Sequence, residues 1–123
     1  MGLAIELETS FLADVDGTPV MGRCSVLSAA ERLAYVAAHA TVNESEDQQE
    51  MVKLIDQWVE RVLVECDATI GGQVYSKQPE DMRPRYVAHL PMEAKQSITT
   101  AALGLKDLTG GAEGNSESGP PNG

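Results

Sequence analysis

The stretch from Gln48 to Cys66 constrains the fold of this chain more than any other segment. Its apolar residues recur every three or four positions, at Met51, Leu54, Ile55, Trp58, Val59, Val62, Leu63 and Cys66. This spacing places them along one face of an α-helix, while charged and amide side chains take the other face. An apolar face of this width needs partners on more than one side. We therefore predict a helix over 48–66 at the centre of the fold.

The N-terminal segment has the pattern of a β-hairpin. Leu3, Ile5 and Leu7 alternate with smaller or charged residues, which predicts a half-buried strand. A segment rich in turn formers follows, with Asp16-Gly17 at its centre, and apolar residues then return at even spacing. We predict a hairpin over 1–27. Because an isolated hairpin is marginally stable in water, it must lie on an apolar surface, and the helices are the candidates.

Helical segments are predicted on both sides of the central one. Ser28 and Glu31 have the spacing of a capping box, and the helix that they open carries Leu33 and Val36 on its apolar face. After the Gly-Gly break that follows Cys66, short helical turns are expected, and Pro91 is suited to begin a final helix. The apolar side of that final helix consists of Ala94, Ile98, Ala101, Ala102, Leu105 and Leu108.

Together these signals predict an α+β fold that is mostly α. An N-terminal β-hairpin packs on a small bundle of three to four helices over 28–108, and residues 1–108 form a single domain. Segment 109–123 is rich in Gly, Ser and Pro and has no apolar residue larger than Ala, so we predict a disordered C-terminal tail. The chain has 123 residues, of which 42% are hydrophobic and 4% aromatic, so its core must be largely aliphatic.

Charge and residue spacing argue against several classes of function. The formal net charge is −10, which disfavours binding to phosphate backbones and favours basic partners. No stretch is apolar and long enough to cross a membrane. Cys24, Cys66, His39 and His89 are scattered singly, without the short spacing of a metal site or a local catalytic signature. We therefore expect no metal, no cofactor and no enzymatic activity. Both thiols are expected to be free, since no signal peptide is present.

Four segments together resemble a known family. They are the helix start LSAAERLAY at 27–35, the Asp-to-Gly break at 67–71, the helix LPMEAKQSITTAALGL at 90–105 and the polar EGNSES at 113–118. In this order, after a short two-stranded start, they resemble the tail assembly chaperones of long-tailed bacteriophages and prophages. The resemblance covers residues 1–118, although its motifs are a cap, a turn and a tail rather than chemically unusual groups.

The resemblance implies a non-enzymatic role in the cytoplasm of a host bacterium. Such a chaperone binds the tape measure protein, and possibly the tail tube protein, while the tube polymerises, and it is absent from the mature virion. The family has no defined binding signature. We expect Ile98, Ala102 and Leu105 to contact the partner, with assignment of the same residues to the core as the alternative.

Three other classes of function stay open at this point. The first is a permanent virion structural protein, such as a head–tail connector or tail completion protein. The second is a small enzyme or metal-dependent regulator, and the third is an acidic inhibitor of a DNA-binding protein, whose complex would depend strongly on salt.

Overall fold

The computed structural model describes residue 3 and residues 5–104, which form an α+β fold that is mostly α. In chain order the elements are β1 (Glu8–Val15), β2 (Thr18–Ser25), α1 (Ala29–Ser45), α2 (Gln48–Val62), β3 (Leu63–Cys66), α3 (Arg83–His89) and α4 (Met92–Ala102). Two single 3-10 turns, Tyr75–Lys77 and Glu80–Met82, connect β3 to α3. The predicted tail over 109–123 lies outside the described residues.

The predicted hairpin turn is confirmed. Strands β1 and β2 pair antiparallel along eight residues each, with Val15 opposite Thr18 across the turn. The two turn residues, Asp16 and Gly17, have φ angles of 53° and 83°. A two-residue turn of this kind requires positive φ at both positions, and Asp-Gly is among the sequences that tolerate it best.

The first strand begins later than predicted. Leu3, Ile5 and Leu7 precede β1 and are 89%, 73% and 75% exposed, so the prediction of a half-buried strand there is wrong. The buried face of β1 comes from Phe11 and Ala13, because α4 covers the hairpin at these residues. Buried and exposed residues therefore do alternate along β1. The apolar surface beneath the hairpin does not extend to the residues that precede this strand.

The central helix is shorter than predicted, because α2 ends at Val62 and the chain continues as β3. Strand β3 pairs antiparallel with β2, which gives a three-stranded sheet in the order β1-β2-β3. The apolar positions Leu63 and Cys66 stay buried in either conformation. Helical periodicity therefore does not reveal the change, while pairing with β2 satisfies the backbone groups of this segment.

Gly22 permits the close approach of β3 to β2. It lies opposite Cys66, next to a register shift between Arg23 and Cys24. A Cβ atom at position 22 would lie 2.0 Å from the carbonyl oxygen of Glu65. Only glycine fits there, because a carbon and an oxygen atom cannot approach to that distance without backbone movement.

The predicted cap of α1 is confirmed. The Ser28 amide donates to Oε1 of Glu31 at 2.9 Å, and the Glu31 amide donates to Oγ of Ser28 at 3.2 Å. The bond from the Ser28 amide is the largest cause that holds the pKa of the Glu31 carboxyl below its usual value, and the Ser28 hydroxyl and the charge of Arg61 act in the same direction. Asp47 caps α2 in a related way, since its Oδ1 accepts from the amides of Gln49 and Glu50.

One cluster of buried side chains joins the inner face of the sheet to α2, α3 and α4. Its fully buried members include Cys24, Val59, Cys66, Val87, Ala94 and Ile98. Most of its side chains are aliphatic or small, as the composition requires, and Phe11, Tyr75 and Tyr86 are its buried aromatic members. Helix α1 contributes little to this cluster, and its position outside the core determines the surface described next.

Candidate protein-interaction surfaces

Only one side of α1 is packed against α2. Tyr35 is 7% exposed, and its ring meets the ring of Trp58 edge-on, with the centroids 5.3 Å apart. The guanidinium carbon of Arg61 lies 4.9 Å from the centroid of the Trp58 ring, and Nε of Arg61 lies 4.0 Å from Oε2 of Glu31. His39 stacks at a tilt on the other side of Tyr35, 5.8 Å away. These contacts attach α1 through a tyrosine rather than through its aliphatic residues.

The opposite side of α1 is apolar and exposed. Leu33 is 72% exposed and Val36 is 55% exposed, and the small residues beside them also face solvent. We call the set Ala29, Leu33, Val36 and Ala40 the α1 stripe. Its members are separated by four, three and four residues, which is the spacing of a seam between two packed helices. The sequence prediction recognised this apolar face but placed it inside the bundle.

The face of α1 that packs is a different one from the apolar face that the sequence predicts. The half-buried and buried residues of that face are Tyr35, Ala38, His39 and Val42, again at helical spacing. Helix α1 thus has two apolar faces, of which one packs on α2 and the other is exposed. Because Tyr35 and His39 carry polar groups, this face is less hydrophobic in sequence than the face with Leu33 and Val36.

A second exposed apolar site lies on the sheet. Leu12 and Met21 are directly opposite each other on the face turned away from α4, and they are 65% and 48% exposed. Beside them Arg23 connects the strands, with Nη1 2.6 Å from Oε1 of Glu8 and Nε 3.4 Å from Oε1 of Glu65. We call this surface the outer sheet face.

Two of the three predicted contact residues lie in the core. Ile98 is 0% exposed and Ala102 is 1% exposed. The carbonyl oxygen of Ile98 accepts from the Cys24 thiol at 3.7 Å, and that of Ala102 accepts from the Leu27 amide at 2.9 Å. Their burial agrees with the alternative expectation, that these two residues belong to the core, and a partner would reach them only if α4 separated from the sheet. Leu105 lies outside the described residues.

The reactive side chains of the described chain are dispersed or buried. Cys24 and Cys66 are free thiols with no exposed surface. Burial, assisted by the negative charge of Glu8, raises the pKa of Cys24 to about 11, so its thiol is protonated at neutral pH. Within residues 5–104 and residue 3, no three His, Cys, Asp or Glu side chains gather as metal ligands. No helix in this part of the chain is sufficiently long and apolar to span a membrane.

Comparison with known proteins does not assign a family to the chain: no protein-family model, no curated protein and no solved structure matches it.

Proposed function

We propose that this protein is a tail assembly chaperone of a long-tailed bacteriophage or prophage, acting without enzymatic chemistry in the host cytoplasm. In this role it binds the tape measure protein, and possibly the tail tube protein, during assembly of the tail tube and is absent from the mature virion. The α1 stripe is the observation that supports a binding role. The class of partner comes from the resemblance of segments 27–35, 67–71, 90–105 and 113–118 to that family.

The α1 stripe suits a helical client. Leu33 and Val36 would insert between side chains of the client helix, while Ala29 and Ala40 at the ends would let the two backbones approach closely. Full burial of a Leu or Val side chain contributes about 1.5–3 kcal/mol, so two such residues supply a useful but reversible contact. A temporary partner of the tape measure protein needs binding of this moderate strength.

The net charge of the chain supports the same role. At −10 it keeps copies of the protein apart while the apolar stripe is unoccupied, because like-charged surfaces repel. Carboxylates surround the stripe at the C-terminal end of α1, where Glu44 and Glu46 lie. A client helix with basic residues beside its apolar face would complement this arrangement.

A permanent virion structural protein, such as a head–tail connector or tail completion protein, is the second candidate. The observation that favours it is the group of exposed apolar residues in and before the hairpin, namely Leu3, Ile5, Leu7, Leu12 and Met21. Permanent subunit contacts are commonly built from such residues. Mass spectrometry of purified virions separates the two candidates, because a chaperone is absent from the finished particle and a structural protein is present.

The proposed function is tested by co-expression with the tape measure protein encoded in the same phage genome. We expect the wild-type chain to keep that protein in the soluble fraction and to co-purify with it. Leu33→Asp places a charge in the stripe and should reduce co-purification at least about tenfold, the effect of losing roughly 1.4 kcal/mol. Val52→Asp on α2 is the matched control, since Val52 is also exposed, at 40%, but lies outside the stripe.

Both variants should keep the wild-type melting temperature, because both side chains are exposed. Failure of the wild-type chain to bind or solubilise the tape measure protein would overturn the proposal. Equal binding of the tape measure protein by wild type and Leu33→Asp would overturn the assignment of the α1 stripe as the binding surface.

A further inference from the structure

Within the described residues, β1 forms an edge of the sheet that has no neighbouring strand. In this part of the chain it pairs with β2 alone, and the sheet order leaves β1 at the edge. The pairing of β1 with β2 is regular along the whole strand, and β1 contains no Pro, Lys or Gly. Proteins commonly block an exposed edge with such residues or with a bulge. A long, regular edge without these features is suited to accept another strand.

The pairing pattern shows which backbone groups face outward. The Leu7 carbonyl oxygen accepts from the Val26 amide at 2.9 Å, so odd-numbered residues of this strand bond to β2. In an antiparallel pair the bonded and non-bonded positions alternate. The amides and carbonyls of Ser10, Leu12 and Asp14 therefore point away from β2. We call these outward groups the β1 edge.

The surroundings of the β1 edge define the chemistry of a suitable partner. An open depression of about 1290 Å³ runs along the edge and the outer sheet face. Its charged lining consists of Arg23 and four acids, which are Asp14, Glu65, Asp67 and Glu93. Arg23 is engaged by Glu8 and Glu65, whereas no ion pair among the described residues includes Asp14 or Glu93. The depression is thus negatively charged, and Leu12 and Met21 are among the apolar residues that line it.

We propose that the β1 edge binds an extended segment of a partner polypeptide in which basic and apolar residues alternate. The segment would add as a fourth strand. Its backbone would pair with Ser10, Leu12 and Asp14. Its apolar side chains would lie beside Leu12 on the outer sheet face, and its cations, which point to the opposite face, would meet Glu93 of α4.

A second copy of this chain is a poorer occupant of the β1 edge. The charged residues of β1 are Glu8 and Asp14, both acidic, so pairing of two β1 strands brings carboxylates together. Each chain also carries a net charge of −10, which opposes self-association. A basic segment gains from the same charges. This proposal does not depend on the function proposed for the α1 stripe.

The test uses the full chain, labelled with ¹⁵N, and an acetylated, amidated peptide in which Lys and Val alternate. We expect saturable binding that slows hydrogen exchange of the Ser10, Leu12 and Asp14 amides by about tenfold or more. A control peptide in which Glu replaces every Lys should give no protection. A peptide with the Lys–Val sequence and N-methylated backbone amides on its pairing side should also give none, since it cannot form the strand hydrogen bonds.

Variants connect the protection to the β1 edge. Leu12→Lys places a cation on the edge and should abolish peptide binding, whereas the matched change Val52→Lys on α2 should leave it unaltered. Leu33→Asp should also leave peptide binding unaltered. A negative result for the β1 edge is therefore distinguishable from a negative result for client binding at the α1 stripe. Unaltered melting temperatures exclude unfolding as the cause, because the substituted side chains are exposed.

Three results would overturn the proposal. They are the absence of protection with the Lys–Val peptide, equal protection with the Glu–Val peptide, and a free protein that is a dimer by light scattering but becomes a monomer in Leu12→Lys. The last result would assign the edge to a second copy of the chain.

Discussion

Nζ of Lys95 lies 2.6 Å from Oδ1 of Asp56, which joins α4 to α2 through an ion pair inside the protein. The Lys95 side chain is 3% exposed and that of Asp56 is 18% exposed. Nζ also donates to the carbonyl oxygen of Ala88 at 3.4 Å, near the end of α3. A buried pair of this kind contributes little net stability over an apolar pair, but it is costly to break, because the remaining charge has no partner.

Asp56→Ala should therefore destabilise the protein by about 3 kcal/mol, measured by urea unfolding. Lys95→Met combined with Asp56→Ala should recover most of that loss, since neither charge then remains buried. Lys53→Met is the control, because the Lys53–Glu50 pair is exposed, and its removal should change stability by less than about 0.5 kcal/mol. Equal loss in the single and double variants would contradict the role given to the pair.

Tyr86→Phe should cost about 1–2 kcal/mol of unfolding free energy. The Tyr86 hydroxyl donates to the carbonyl oxygen of Ala68 at 2.5 Å, and the Tyr86 side chain is 1% exposed, so the variant leaves a partly buried acceptor without its donor. Tyr75→Phe is the matched control. Tyr75 is also buried and contacts the Tyr86 ring, but no hydrogen bond of its hydroxyl is present among the described residues. Equal losses from the two changes would show that the hydrogen bond contributes nothing.

Gly22→Ala should destabilise the protein by more than about 3 kcal/mol, because the added Cβ collides with the Glu65 carbonyl and displaces β3. Gly17→Ala provides the comparison. At Gly17 an added Cβ has open space, so the cost is only that of a φ of 83° in a residue with a side chain, about 1 kcal/mol. Urea unfolding measures both, and amide exchange in β3 should rise for the first variant alone. A Gly22→Ala protein as stable as Gly17→Ala would refute the close approach of the two strands.

We expect the protein to lose stability at alkaline pH because of the buried Cys24 thiol. Burial raises its pKa in the folded protein to about 11, above the value of 9.0 expected for an unperturbed thiol. The stabilisation from this protonated group is complete below pH 9 and is lost as the pH rises through 11, because the unfolded chain releases the proton first. The stability difference between wild type and Cys24→Ala should therefore shrink between pH 9 and 11. A constant difference over that range would contradict the raised pKa.

Thiol reactivity checks the same point independently. At pH 8 a thiol-specific reagent should modify neither Cys24 nor Cys66 in the folded protein within the time needed to label both in urea. Rapid labelling of the native chain would show that one of the two sites opens easily.

Local rules determined much of this fold from the sequence. The capping box of Ser28 and Glu31 and the Asp16-Gly17 turn are present where the sequence predicts them, and α4 begins one residue after Pro91, the residue predicted to open it. Each depends on a few consecutive residues whose backbone preferences and short hydrogen bonds suffice to select one conformation. Their position in the chain therefore needs no knowledge of the rest of the molecule.

Tertiary structure alone decided two other features. Segment 63–66 becomes a strand because β2 offers it an edge, and its apolar spacing suits a helix equally well. Leu33 and Val36 face solvent because Tyr35 packs on Trp58 instead, and a helix with two apolar faces does not itself specify which one turns inward. The sequence identified the apolar residues of the α1 stripe, but only the arrangement of the neighbouring elements shows that they are left uncovered, since burial is a property of contacts between distant segments.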